Sequence, residues 1–232
     1  MAKSKILKEL ANNEITIDVA LSRLLIISRD IANNELLLWV NNELTGYKKK
    51  EELPEYRKVR SNLFTYSGIN GSYQVTNQPL PIQWFSETTR KSLNPINIYN
   101  SIAVVQEIAE RKEVTDACRD VTYLAGEIEN NTDEGFGGVQ CFSIVQKIPQ
   151  QIYKGIVSQV RTKLLNVFIE LDKAYGNLDD LDVNLDKKTP NEIAHINQQL
   201  ITIIDNSIHI GDGNEISKSD MHTGREDGKS KF

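Results

Sequence analysis

Apolar residues recur along the chain with two different periods, and each change of period marks a change of structure. Ile17, Leu21, Leu24, Ile27 and Ile31 fall three or four apart, with Leu25 beside them, which is the spacing of one helix face. Ser4 and Thr16 stand where short polar side chains cap helix starts. A short helix carrying Ile6, Leu7 and Leu10 is therefore predicted to end at Asn12 and Asn13, before Thr16 opens the next. Leu36, Val40 and Leu44, with Leu37 alongside, form a third stripe. Asn33 or Asn34 can cap its start, and Gly46 supplies the left-handed residue that ends helices. Trp39 lies partly off this face and is read as packing under the loop that follows. Pro54 bars a continued helix and pushes Leu53 toward extended geometry.

From Tyr56 the period shortens to two. Phe64-Thr65-Tyr66 and Tyr73-Gln74-Val75 read as the arms of a β-hairpin about the turn-forming residues 67–72. Residues 77–81 are extended, Ile82 and Trp84 anchor the connection, and residues 139–145 supply a strand that joins the hairpin. Helical spacing returns between these strands. Ile98, Ile102, Val105, Ile108 and Ala109 mark one helix; Val114, Ala117, Cys118, Val121, Leu124 and Ala125 mark another or its continuation. Residues 130–138 hold Gly135, Gly137 and Gly138 but no following Gly-Lys-Ser/Thr, so they read as a turn and not a phosphate loop. Pro149 opens the longest helix, with Ile152, Ile156, Val160, Leu164 and Phe168 each four apart and Gly176 closing it. Val157, Leu165, Val167 and Leu171 widen that stripe enough for a central core helix.

The remainder has a different character. Asp179, Asp180, Asp182 and Asp186 form an acidic linker over residues 177–190. Thr189-Pro190-Asn191-Glu192 is a capping box for a short helix holding Ile193 and Ile196. Ile201, Ile203, Ile208 and Ile210 then alternate about Asp205-Asn206-Ser207, and Ile216 follows a Gly-Asp-Gly-Asn step. The expected fold class is therefore α+β. A mostly helical domain with a small antiparallel sheet occupies residues 1–176, followed by the linker, a short helix with a β-rich tail (191–216), and a charged, disordered terminus (217–232). Alternating isoleucines too short to bury themselves seek another chain, so Ile201, Ile203, Ile208, Ile210 and Ile216 are the candidate oligomerisation residues.

Composition narrows the chemistry. With 232 residues, 39% hydrophobic and 25% charged, the chain can bury a sizeable core. A net charge of −5 argues against broad nucleic-acid binding by charge alone. One local exception is Tyr47, Lys48, Lys49, Lys50, Tyr56, Arg57, Lys58 and Arg60, a candidate recognition surface that could hold RNA or DNA, or else a structural joint beside a solvated loop. The three histidines, His195, His209 and His222, all lie after residue 190, which removes a histidine triad or histidine ligands from the main domain. Glu43, Glu107, Glu110, Asp116, Asp120 and Glu127 sit at surface-like spacing, and the Asp-rich linker lacks the glycine and closing glutamate of a calcium loop. Cys118 and Cys141 read as buried thiols in a reducing cytosol. No stretch spells out a catalytic set, which leaves the question of an enzymatic activity open, and no metal site or cofactor is expected. The first residues, MAKSKILKELANNE, do not form a signal peptide and no run is long enough to span a membrane, so the expected location is cytoplasmic.

One stretch carries a resemblance. Trp39, Glu43, Leu44, Gly46 and Tyr47, then Leu53, Pro54, Tyr56 and Arg57, resemble the AbiTii domain of bacterial abortive-infection (anti-phage) proteins. Gln78-Pro79-Leu80-Pro81-Ile82 and Val160-Arg161 with Leu164-Leu165 extend the likeness over roughly residues 3 to 175. The resemblance implies a setting and brings no catalytic residues with it. Within that setting the expectation is an interaction and oligomerisation module. Its partners would be further copies of itself, another defence-system protein or a phage component. The alternative is an effector toxin, a nuclease or nucleic-acid-binding protein acting through the basic and aromatic patch.

Overall fold

The broad stripe on the longest helix sets the architecture. The computed structural model describes residues 3–112, 116–130, 138–176, 178–181, 183, 185 and 188–205. Helix α7 (Gln150–Tyr175) starts after Pro149 and buries Ile156, Val160, Leu164, Val167, Phe168 and Leu171. Helices α1 (Lys5–Ala11), α2 (Ile17–Asp30) and α5 (Ile102–Glu110) pack directly on it, and α3 (Asn34–Thr45) packs on α2 and α5. Helix α8 (Pro190–Ile204) lies across α7 and α3. Together they enclose one hydrophobic core.

The second core belongs to the sheet. Strands β2 (Leu63–Asn70), β3 (Tyr73–Leu80), β5 (Ala117–Asp120) and β6 (Val139–Ile148) run antiparallel in the order β3-β2-β6-β5. The register Tyr66↔Ile144 and Phe64↔Leu80 places these four residues on one face. That face is covered by Phe85, by Leu93 of α4 (Glu87–Leu93) and by Ile128 of α6 (Ala125–Glu129). Strands β2 and β3 run on to a turn of only Gly71 and Ser72, so the hairpin loop is shorter than residues 67–72 suggest. Between Ser67 and Gly68 the register with β6 slips by one residue, leaving Phe142 as a bulge, and an added Cβ on Gly68 would lie 1.8 Å from the Gln140 carbonyl oxygen. A separate pair, β1 (Lys58–Val59) with β4 (Ile96–Asn97), ties the sheet unit to the helices.

Three expectations are corrected. The spacing of Ala117, Cys118, Val121, Leu124 and Ala125 does not make one helix. Residues 117–120 are the edge strand β5, followed by a 3-10 turn and the short α6. The open edge of β6 offers a hydrogen-bond ladder, and Asp120 Oδ1 accepts from Thr122 N at 2.8 Å to end the strand; tertiary pairing overrides the local period. The acidic segment does not stand away from the domain, because Leu178 and Val183 are buried in the helical core and Lys5 N donates to Asp179 at 2.6 Å. The strand expected at Leu200 is helical. The Thr189 capping box opens α8, and Ile196, Leu200 and Ile204, four apart, bury one face, so the alternation of Ile201 and Ile203 reflects the flanks of a helix. Ile208, Ile210, Ile216, the terminus, Val114, Asp182, Asp186 and most of the glycine-bearing turn lie outside the described residues. Among the described residues no helix is long and apolar enough to cross a membrane.

Candidate functional site

The motif residues converge on the end of α3. Asn33 Oδ1 accepts from Leu36 N at 3.0 Å and starts the helix, which then presents Leu36, Trp39, Val40 and Glu43 to the interior. Gly46 ends it with φ of +90°, and an added Cβ there would lie 2.8 Å from the Tyr99 carbonyl oxygen. Only glycine allows the chain to pass so close to that backbone. Tyr47 N then donates to Tyr99 O at 2.8 Å, and after the Pro54 turn Ile98 N donates to Arg57 O at 2.9 Å. The loop from Gly46 to Arg57 is thereby clipped at both ends to residues 98–99.

Glu43 is the hub of this joint. Its Oε1 accepts from Tyr47 Oη at 2.7 Å, Tyr56 Oη at 2.6 Å and Arg57 Nε at 3.1 Å, while Oε2 pairs with Arg57 Nη2. Arg57 Nη1 donates to the carbonyls of Asn100 at 2.7 Å and Ile98 at 3.3 Å. Trp39 Nε1 donates to Tyr56 Oη at 2.9 Å. Both charged side chains are 0% exposed. A buried ion pair is tolerated only when its remaining hydrogen-bonding capacity is met, and here two tyrosines and two backbone carbonyls meet it. Burial works against the Arg57 charge, but the Glu43 carboxylate outweighs it and holds the guanidinium pKa above its ordinary value. Burial, reinforced by the Glu43 charge, raises both Tyr47 and Tyr56 well above the usual phenol range. At neutral pH both phenols are hydrogen-bond donors, not bases or nucleophiles.

The joint continues to α8. Lys163 of α7 lies 5.5 Å from the Tyr56 ring centroid, and its Nζ donates to the carbonyls of Ile203 at 2.9 Å and Ile204 at 3.0 Å. This ammonium caps the α8 C-terminus, where a cation is favoured. Burial lowers the Lys163 pKa, opposed by the charges of Asp205 and Glu43. Beside it lies a cavity of about 300 Å³ lined by Leu53, Pro54, Tyr56, Lys58, Lys163 and Asp205, among others.

The set expected to share one surface is divided between two environments. Tyr47 and Arg57 are buried, and Tyr56 turns its hydroxyl inward. Lys48, Lys49, Lys50 and Arg60 are exposed, and Lys58 is half-buried in an ion pair with Glu55 at 2.5 Å. Ile201 and Ile203 sit half-buried on α8. Glu43 and Lys163 were missed as members of the site. Each carries a readable signal, a charged residue at a stripe position: Glu43 after Leu36, Trp39 and Val40, and Lys163 between Val160 and Val167. The carbonyls of Ile98 and Asn100 carry none, because they come from a distant segment. Among the described residues no group of three His, Cys, Asp or Glu is placed to hold a metal ion.

A family model, AbiTii, matches residues 4–199, which reaches past Gly176 and into α8. No curated protein and no solved structure matches the chain.

Proposed function

Because the chain belongs to the AbiTii family of bacterial abortive-infection proteins, we propose that its part in anti-phage defence is that of an interaction and assembly module. The observation that carries this reading is the sealed joint. Trp39, Glu43, Tyr47, Tyr56 and Arg57 engage one another and the backbone, and the central ion pair is closed to solvent. A catalytic carboxylate needs access to a substrate proton. Glu43 instead fixes the angle between α3, the loop to Arg57 and, through Lys163, the end of α8. Residues with that duty make a rigid scaffold for surfaces elsewhere.

Assembly into a homo-oligomer runs, in this reading, through the segment after Asp205, which carries Ile208, Ile210 and Ile216. Light scattering tests it by comparing the full chain with residues 1–205. The cut cannot fall earlier, because Leu178, Val183, Ile196, Leu200 and Ile204 are buried in the main core. The shorter chain should keep its thermal midpoint and lose mass. Equal stoichiometry of the two chains would reject the segment as the assembly element. Phage challenge of bacteria expressing either chain then asks whether protection follows assembly. Protection by a monomeric 1–205 chain would reject the module reading.

A second reading, an effector acting on nucleic acid, is favoured by one observation. Lys48, Lys49, Lys50 and Arg60 remain exposed on the outside of the joint. Binding of this kind weakens steeply with salt as counterions are released. An anisotropy titration at two salt concentrations decides it, and no binding at low salt removes this reading.

A further inference from the structure

A cleft of about 500 Å³ lies where the chain crosses from the sheet core to the helical core. Leu93 is buried in the first and Ile96 and Ile98 in the second, and Asn94 and Pro95 make the crossing. Among the described residues three cations line the cleft, Lys50, Lys91 and Arg119, and no carboxylate does. That is unlike the chain as a whole, which carries a net charge of −5. Lys91 also meets Glu87 at 2.5 Å on the outer surface, and Arg119 is steadied by donation to Leu93 O at 3.5 Å. Tyr99, 37% exposed, adds an aromatic ring to the wall. Asn97 Nδ2 donates to the Tyr99 hydroxyl at 3.2 Å, while Asn97 Oδ1 is buried without a partner among the described residues.

We propose that this cleft is a nucleotide-binding site. Convergent cations suit a phosphate ester, because charge-assisted hydrogen bonds to phosphate are among the stronger ones proteins make. A phosphate alone would leave most of the cleft empty, and its volume lies within the range of small-ligand pockets. A planar base fills the rest by stacking on Tyr99. The exposed Lys48 and Lys49 continue from Lys50 and add attraction for an incoming anion. The same chemistry could come from a free nucleotide or from one unit of a single strand. The walls on several sides, formed by the loop to Lys50, α4, β4 and β5, favour the free nucleotide. This inference names residues other than Ile208, Ile210 and Ile216 of the assembly reading, so each is tested by its own variants.

Calorimetric titration of the full chain with ATP, GTP, CTP and UTP, and with inorganic tripolyphosphate, tests it. At least one nucleotide should bind. The exposed pair Lys50→Gln and Lys91→Gln together should weaken it by about tenfold or more, through loss of charge-assisted contacts. Tyr99→Ala should weaken the nucleotide by about tenfold, through lost stacking. Tyr99→Ala should leave tripolyphosphate binding unchanged. Thermal midpoints of the variants confirm folding, and light scattering of the same samples keeps the result separate from assembly. The proposal is overturned if no nucleotide binds at millimolar concentration, or if the variants bind as well as the parent. A ten-residue single-stranded RNA binding more than tenfold tighter than every mononucleotide would equally overturn it, in favour of a strand.

Discussion

Replacing Glu43 by glutamine changes almost no volume and removes one charge. In the native joint that charge faces Arg57, and both side chains are 0% exposed. The variant leaves the guanidinium buried against a neutral group, and breaking a buried pair in this way costs about 3–5 kcal/mol. The new amide also sets an N–H group toward Arg57 Nη2, where Oε2 had accepted. Tyr47 and Tyr56 can still donate to the retained carbonyl oxygen, which puts the expected loss near the lower end, about 3 kcal/mol. For a domain of this size that lowers the thermal midpoint by roughly 6–12 °C. Urea unfolding followed by tryptophan fluorescence gives the same quantity, since Trp39 donates into the network through Tyr56. The denaturant slope should stay constant while the midpoint falls. Glu43→Gln combined with Arg57→Gln removes the stranded charge, so the double variant should lose less than the sum of the single losses by about 1–3 kcal/mol. A single-variant loss under about 1 kcal/mol would mean that the pair is hydrated in solution, and the sealed-joint argument would fail.

Three further outcomes follow from the packing. Trp39→Ala should cost about 3–5 kcal/mol through the cavity it leaves, whereas Trp39→Phe should cost only about 1 kcal/mol for the lost bond to Tyr56; urea midpoints separate the two. Gly155 lies inside α7 with open space around its Cβ position, so Gly155→Ala should stabilise the protein by about 0.5–1 kcal/mol in the same assay. Burial pushes the Asp172 carboxyl up, but donation from Ser4 and Lys3 outweighs it and holds the native pKa below 3.8. The unfolded state therefore binds this proton first. The stabilisation from Asp172 is complete above 3.8 and disappears as pH falls through its lower native value. Asp172→Asn should remove that part of the acid-side decline in thermal midpoint, and an unchanged decline would contradict the assignment.

Periodicity read the helices well where one apolar face meets one core. The stripes of α2 and α7, the Asn33 cap and the Thr189 capping box stand as the sequence implies, while the buried face of α3 takes in Trp39 and Glu43 and leaves Leu44 half-buried. The hairpin and its third strand were legible for the same reason, since a face covered on one side writes alternation into the chain. Periodicity failed at residues 117–125, where the deciding factor is the unpaired edge of a strand that begins some twenty residues later. It also failed at Leu200, because two isoleucines two apart suit a strand and the shoulders of a helix equally. The site was half legible. Trp39, Tyr47, Tyr56 and Arg57 drew attention as aromatic and basic residues near Gly and Pro, but their inward turn depends on Glu43. A carboxylate within an apolar stripe was the available sign of a buried partner. Ser4, read as a helix cap, instead bridges Asp172 and the amide of Leu178.

That bridge has a bearing on how the chain is made. Ser4 meets Asp172 across a separation of 168 residues, and Arg161 donates to Leu10 O at 3.0 Å across 151. Ribosomes add about 5–20 residues each second, so helix α1 waits roughly 8–34 s for its anchor to be synthesised. The β2–β3 hairpin, joined by two residues, can close within about 1–10 μs of emerging. Throughout the wait Ile6, Leu7 and Leu10 have no α7 to cover them, which makes nascent α1 a natural client for ribosome-associated chaperones. Residues of α1 are translated long before the helix that secures them.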